Sequence, residues 1–494
     1  MRNASAGSRV LRFAALAAIG GWLIAPGAAS AAPSNGFPSF KVTPTGLLNP
    51  GFGWQKPDYV VRCAQGAAAI RVKGAKGWRA KVGKGAYRPG GFTASLRSGD
   101  GRRTVVTFRK AGEGTRTHRF HLRCLPADFP PYGFERLGPG GPPFFTLQME
   151  NRYAAIVNDD GVPVWWYQAQ FDPYNVDLQP DGTITFTPID DISLQKGDYE
   201  VHSLNGRLLR IIKAEGTEPP DVHELQLLDN GNYLLGMQYP YTADTSAFGG
   251  SVNSQVLGIQ ILEVTPDGQI AYRWASGDHL SVSETPQRWW DDPLLDPEPY
   301  DTSHWNSVEL IGEDANRMLL SFRHLDAIYL VDRTTGAIVW KLGGTPTPQS
   351  LDVIGDPHEG PTLFGGQHDA RMLPNGTITI FDNRTGLGEP PRVVRYRIDE
   401  SAGTATLVQQ FQDPEVSVAF CCGSARRIPH GEWLVGWGGS ITGTVGAYDR
   451  TGAPIFRFIT DLTFTYRAYP AAEGEVDPVE LRQAMDKLAR RGGA

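Results

Sequence analysis

Leu227-Leu228-Asp229-Asn230-Gly231 and Met372-Leu373-Pro374-Asn375-Gly376 are two copies of one turn, and each follows a histidine, His223 and His368, set 8 residues ahead of its glycine. The same alignment sets Tyr174 ahead of Leu178-Gln179-Pro180-Asp181-Gly182, and Gly423 ahead of Arg427-Ile428-Pro429-His430-Gly431. Asn-Gly and Asp-Gly supply the left-handed backbone that a tight reversal between antiparallel strands needs. A second motif recurs as well: residues 263–274 read EVTPDGQIAYRW, residues 331–340 read VDRTTGAIVW, and 158–165 and 448–456 repeat the theme. Units therefore begin near 145, 173, 222, 304, 367 and 423. Strand-rich units spaced about 40 to 50 residues apart, with turn residues between them, predict an all-β, six-bladed β-propeller. Residues 276–302 break the spacing and are expected as a long insertion.

Equal positions in sister blades have equal radial depth, so side chains held there converge on one axis. His223 in Asp-Val-His-Glu-Leu, His304 in Ser-His-Trp-Asn-Ser, Arg323 in Ser-Phe-Arg-His and His368 in Gly-Gln-His-Asp-Ala occupy or flank such places. Three imidazoles and a guanidinium form a constellation suited to an anion. Asn306, two residues after His304, is expected on the same strand face and able to bind or orient a substrate. Arg323 and His324 are adjacent, so strand alternation predicts that they point oppositely and leaves His324 out. His430 takes a turn position, His118 and His121 belong to the N-terminal segment, and His202, His279 and His358 lack the repeat context. Trp165, Trp166, Trp289, Trp290 and Trp437 are expected as blade packing rather than a ligand platform.

Arg2, Arg9 and Arg12 precede an apolar run at 13–25 that ends in Pro26-Gly27 and is followed by Ala29-Ser30-Ala31. This pattern predicts a secretory signal peptide over 1–31, and a secreted or periplasmic, cell-envelope protein with no stable membrane insertion after cleavage. Without the leader, 44 basic residues face 53 acidic ones, a formal charge of about −9, and nucleic acid is excluded as a partner. Cys63 and Cys124 lie near the ends of alternating strands and are expected to bridge in an oxidising compartment. Adjacent Cys421 and Cys422 read equally as a vicinal bridge or as two buried thiols. The expected division is a small β-sandwich-like N-terminal domain at 40–125, a Pro/Gly-rich linker at 126–143, the propeller at 144–470 and a tail at 471–494. In the tail, Leu481, Met485 and Leu488 share one face of a short helix.

Over roughly 144–470 the chain resembles the bacterial arylsulfotransferase family, enzymes that move a sulfuryl group between phenols without a nucleotide sulfate donor. The similarity rests on order: His223 in Val-His-Glu-Leu, His304 with Asn306, Arg323 in Ser-Phe-Arg-His, and Gln367-His368-Asp369 ahead of Asn375-Gly376 and Phe381-Asp382-Asn383. The resemblance implies phenolic sulfates and phenols as small-molecule partners, no cofactor and no metal. It further implies that His368 is the residue that becomes sulfurylated in a ping-pong reaction. This sequence departs from the family in its adjacent cysteines, where well-known members carry a spaced pair, and in the acidic insertion around Asp291 to Asp301. A homodimer is left open.

The residue types suit that chemistry. A phenol has a pKa near 10, so its sulfate ester loses a moderately basic phenolate. Neutral imidazole can take the sulfuryl group covalently, and a planar guanidinium supplies permanent donors to its oxygens. The remaining histidines serve as general acid and base. Two other classes compete: a three-histidine metal propeller, against which Arg323 argues because a guanidinium beside a dication is costly, and a non-catalytic binding propeller, which leaves the matched histidines unused. A quinone-cofactor dehydrogenase fits less well, because the tryptophans are irregularly spaced.

Overall fold

Strands flank the repeated turns in the computed structural model, which describes residues 36–492 apart from 66–67, 98, 111–115, 191–194, 217, 292–297, 441–442, 461–464 and 472–473. The leader expected at 1–31 lies outside the described residues. From residue 144 onward, six sheets follow in chain order, each built on four antiparallel strands. Successive sheets start with Phe144–Met149, Asp172–Leu178, Leu225–Leu227, Trp305–Ile311, His368–Met372 and Ser424–Arg427. The first sheet takes its fourth strand from the far end of the chain: Ala468–Ala471 pairs antiparallel with Phe144–Met149. That pairing covers what would otherwise be an open edge.

Neighbouring sheets are joined along their starting strands at three of the junctions. Thr146 Oγ1 donates to the Val176 carbonyl at 2.8 Å, Gln226 Nε2 to the Val308 carbonyl at 2.5 Å, and Asn306 Nδ2 to the Gln367 carbonyl at 2.8 Å. Between sheets the packing is apolar. Phe145, Ile156, Trp165 and Trp166 are fully buried with Phe456 and Phe458 of the last sheet, and burial of each such ring contributes about 2 kcal/mol.

The Pro/Gly-rich stretch at 126–143 is more than a connector. Its Tyr132–Arg136 forms an outer strand on the sixth sheet, paired with Pro454–Thr460. Tyr132 stacks on Phe458 at 5.0 Å between ring centres and Phe134 meets Phe456, so two aromatics fix a short strand that composition alone reads as a linker. Ahead of it, a three-stranded and a six-stranded sheet share a core of Phe40, Ile70, Tyr59, Phe108 and Phe120, and Cys63 is bonded to Cys124.

At the other end, Pro478–Arg491 is an α-helix whose N-cap Asp477 accepts from the Val479 amide. Its buried face carries Leu481, Met485 and Leu488. These pack into the core of the first sheet, while Arg482 pairs with Asp58 at 2.7 and 2.6 Å. The helix thereby joins the N-terminal sheets to the repeated ones. Among the described residues, no helix is long and apolar enough to cross a membrane.

Candidate active site

The starting strands are irregular where the site forms, and that irregularity aims its side chains. Asn175, His304 and Asp369 take left-handed backbone, at φ 55°, 45° and 57°. Register shifts fall between Tyr174 and Asp177, Trp305 and Ser307, and His368 and Arg371. An extra residue at such a bulge turns side chains inward that regular alternation would send elsewhere. The simple two-residue spacing expected for His304 and Asn306 therefore does not apply: His304 precedes its strand.

His223 and His304 are each anchored by a carboxylate. His223 Nδ1 donates to Asp221 Oδ1 at 2.6 Å, and the His223 amide donates to the same oxygen at 2.9 Å. His304 Nδ1 donates to Asp301 Oδ2 at 2.6 Å, and its amide to Oδ1 at 3.0 Å. In both, the paired Nδ1 leaves Nε2 to accept or carry a proton. The two rings lie 5.0 Å apart, edge to face. Burial holds the His304 pKa below its ordinary value; Asp301 opposes that shift, while His223 and Arg323 add to it. For Asp301, burial would raise the pKa, but His304 and His324 hold it well below the ordinary carboxylate range.

His368 is 1 % exposed and is fixed through the same ring atom. Its Nδ1 lies 2.8 Å from both the Gly366 carbonyl and Asn383 Oδ1, two acceptors that assign the proton to Nδ1. Nε2 then carries the lone pair, which accepts from the Cys422 amide at 3.1 Å. Asn383 holds the same loop from the other side, donating to the Ala419 and Cys422 carbonyls at 3.1 and 3.0 Å. Burial lowers the His368 pKa well below its usual value, with Arg323 and Arg467 reinforcing the shift. Its ring is thus neutral near pH 7. Cys421 and Cys422 are bonded to each other, in a loop where Cys422 has φ 65°.

Arg323 connects these parts. One guanidinium nitrogen donates to His324 Nε2 at 2.6 Å, another to the Phe420 carbonyl at 3.1 Å, and the guanidinium carbon lies 4.5 Å from the centre of the Trp289 ring. His324 therefore belongs to the site, contrary to expectation. Residues Arg323–Leu325 form a 3-10 turn rather than a strand, so neighbouring side chains need not oppose one another. The His324 ring lies 4.6 Å from His304 and 4.4 Å from Trp289.

Trp289 comes from the expected insertion, on the short helix Gln287–Trp290. Its indole N–H donates to Asp326 at 3.1 Å, and Asp326 also accepts from Arg288 and from the Gly366 amide at 2.8 Å. A single buried carboxylate thus positions both the platform under Arg323 and the residue whose carbonyl holds His368. Burial raises the Asp326 pKa to about 6, against the opposing pull of Arg288.

Asn306 has its amide engaged with main chain: Nδ2 donates to the Gln367 carbonyl at 2.8 Å and Oδ1 accepts from the Asp369 amide at 3.4 Å. It grips both neighbours of His368 and is fully buried. Beside it lies a buried ion network. Arg371 and Arg467 reach Glu224 at 2.6 and 3.0 Å, Arg426 clasps Asp369 at 2.8 and 2.7 Å, and Arg467 donates to the Asn306 carbonyl at 2.5 Å. Glu224 follows His223 and Asp369 follows His368, an imidazole-carboxylate pattern visible in the chain but not singled out by the repeat.

Asp301, His304 and His324 have ligand atoms within 4.8 Å of one another, a spacing that a metal could use. The donor chemistry does not fit. Arg323 donates to His324 Nε2, which places the proton on His324 Nδ1, and that atom donates to the Asp301 carbonyl at 2.5 Å. No lone pair remains there for a cation. Outside the site, His202 bonds Glu200 at 2.6 Å, His279 stacks on Trp274, and His430 is an exposed turn residue.

Comparison with known proteins adds identity to this geometry. No curated protein matches the chain. Among solved structures, it is similar to a Bacteroides caccae protein of unknown function (12% identity, 66% of this chain and 98% of that one, TM-score 0.41). It is also similar to TolB from Acinetobacter baumannii (9%, 76% and 81%, TM-score 0.32). Both scores are too low to support an inference. The arylsulfotransferase (ASST) family description matches residues 140–449, a span that holds His223, His304, Arg323 and His368. The chain belongs to the arylsulfotransferase family.

Proposed function

We propose that the protein transfers a sulfuryl group from a phenolic sulfate ester to a phenol, through a covalent intermediate on His368 Nε2 and without a nucleotide sulfate donor. On this reading, residues 144–470 are a six-bladed propeller, residues 40–125 a β-sandwich domain, and the active site lies where the starting strands converge. The observation that carries the proposal is the double fixation of His368 Nδ1 by Gly366 and Asn383, which directs the lone pair of a neutral imidazole to Nε2.

In the first step Nε2 forms a bond to sulfur as the sulfur–oxygen bond to the phenol breaks. The ring becomes cationic, and its Nδ1–H is already held by a carbonyl and an amide oxygen that stabilise that charge. The Cys422 amide, which caps Nε2 at rest, passes to a sulfuryl oxygen. Arg323, backed by Trp289, and Asn306, acting through the main chain on both sides of His368, hold the reacting group in place. In the second step the carboxylate-anchored His304, with His223 beside it, takes the proton of the acceptor phenol. The phenol oxygen attacks sulfur, the sulfur–nitrogen bond breaks and His368 returns to neutral. The proton gained from the acceptor then goes to the next departing phenolate, so protons balance over the cycle.

Support for an exported, disulfide-bonded protein comes from the Cys63–Cys124 bond and from the leader-like residues 1–31. Two-substrate steady-state kinetics with a chromogenic aryl sulfate and a phenol test the proposal. Parallel lines, with a stoichiometric burst of phenol when no acceptor is added, are expected. Intersecting lines without a burst would replace the double displacement with direct transfer.

A further inference from the structure

A second charged cavity lies away from the candidate active site, between the N-terminal sheets and the C-terminal helix. Its volume is about 260 Å³, and its walls include Lys84, Arg97, Arg102, Arg103, Asp486 and Arg490. The one carboxylate here is already taken, since Arg103 and Arg123 both pair with Asp486. Lys84, Arg97, Arg102 and Arg490 are exposed and make no ion pair among the described residues. Four cations that share one cleft repel one another, in a chain whose formal charge is −6.

The cleft is rigidly built. Arg123 is 4 % exposed and donates to the Gly101 carbonyl and the Arg482 carbonyl, both at 2.8 Å, tying the neighbour of Arg102 to the helix that carries Arg490. The bridged Cys124 packs against Arg97, its Sγ 3.1 Å from the Arg97 carbonyl. Positive potential reaches into the wall: the pKa of His121 falls to about 4, through burial first and then through Arg482, with Arg103 and Arg123 adding to it. Forked guanidiniums on a tied backbone suit a tetrahedral oxyanion, because each can donate two parallel hydrogen bonds to its oxygens.

We propose that this cleft binds a multivalent oxyanion, a chain or cluster of phosphate or sulfate ester groups, at a site distinct from the sulfuryl-transfer centre. Phosphate and sulfate present the same geometry and charge to arginine, so the two sources are separated by probe. Calorimetric titration of the full-length protein with sodium tripolyphosphate in one arm and sucrose octasulfate in the other should give one site that weakens as salt is added. The arm that binds more tightly names the source, and either arm supports the site.

Arg97→Glu with Arg102→Glu should weaken binding by about tenfold or more, since two attractions become repulsions. Turnover of an aryl sulfate should be unchanged, because neither residue belongs to the transfer machinery, and both side chains are exposed enough for the variant to fold. His368→Ala should bind the probe as the parent does. Absence of binding by either probe at millimolar concentration, or equal binding by the charge-reversed variant, would overturn the proposal.

Discussion

Replacing Arg323 by lysine probes the transfer chemistry with the least change of charge. The guanidinium bridges His324 and the Phe420 carbonyl while its central carbon sits over the Trp289 ring. A lysine ammonium is a point donor on a flexible stem and cannot hold both acceptors from that stacked position. Loss of one charge-assisted hydrogen bond costs about 1.5–3 kcal/mol, and loss of the stacked cation about 0.5–2 kcal/mol. Taking a combined effect of about 3 kcal/mol on the transition state, turnover should fall by about two orders of magnitude. The assay is kcat and KM for a chromogenic aryl sulfate at saturating phenol, with thermal unfolding of both proteins as the control for folding. If Arg323 acts on charge that develops during transfer, kcat carries most of the loss and KM moves little. A folded Arg323→Lys protein within about threefold of the parent kcat would refute the role assigned to the guanidinium.

Three further expectations follow from the same contacts. Asp301→Asn keeps the shape of the His304 anchor but removes its charge and can reverse the ring's tautomer, so kcat should drop by about a hundredfold or more while the fold persists; an unchanged kcat would dismiss His304 as acid and base. The lowered pKa of His304 means that the neutral imidazole that takes the acceptor's proton survives below the ordinary histidine value, so kcat/KM for the acceptor phenol should stay level as pH falls through about 6.5 and decline only in more acidic buffer; a limb centred at about 6.5 in that parameter would contradict the environment described. Exhaustive dialysis against a chelator should leave turnover intact, and a stoichiometric metal found by elemental analysis would revive the reading in which Asp301, His304 and His324 are ligands.

The repeated turns made the strand pattern legible, because Asn-Gly and Asp-Gly determine local backbone whatever surrounds them. Placement in or beside the repeat brings forward His223, His304, Arg323 and His368, and the family pattern has them in the same order. What stayed hidden depends on backbone that only the folded chain adopts. His324 was set aside by strand alternation, which a 3-10 turn at Arg323–Leu325 suspends. Asp221 and Asp301 stand two and three residues ahead of their histidines, spacings that bring carboxylate and ring together only once the chain turns there. Trp289 and Asp326 act across long sequence separations, and no local pattern marks them. Tyr132–Arg136 shows the converse case, a strand concealed by surrounding proline and glycine and revealed by the aromatics it packs on.

The most direct test of the account is the position of the covalent group. The protein is incubated with an aryl sulfate and no acceptor, digested at neutral to alkaline pH to protect an acid-labile adduct, and its peptides are sequenced by mass spectrometry. The account predicts one sulfuryl group on the His368 peptide, lost on addition of phenol and absent from His368→Ala. Label on His223 or His304 would keep the transfer reaction but move its nucleophile, and phenol release with no labelled peptide would contradict the covalent mechanism.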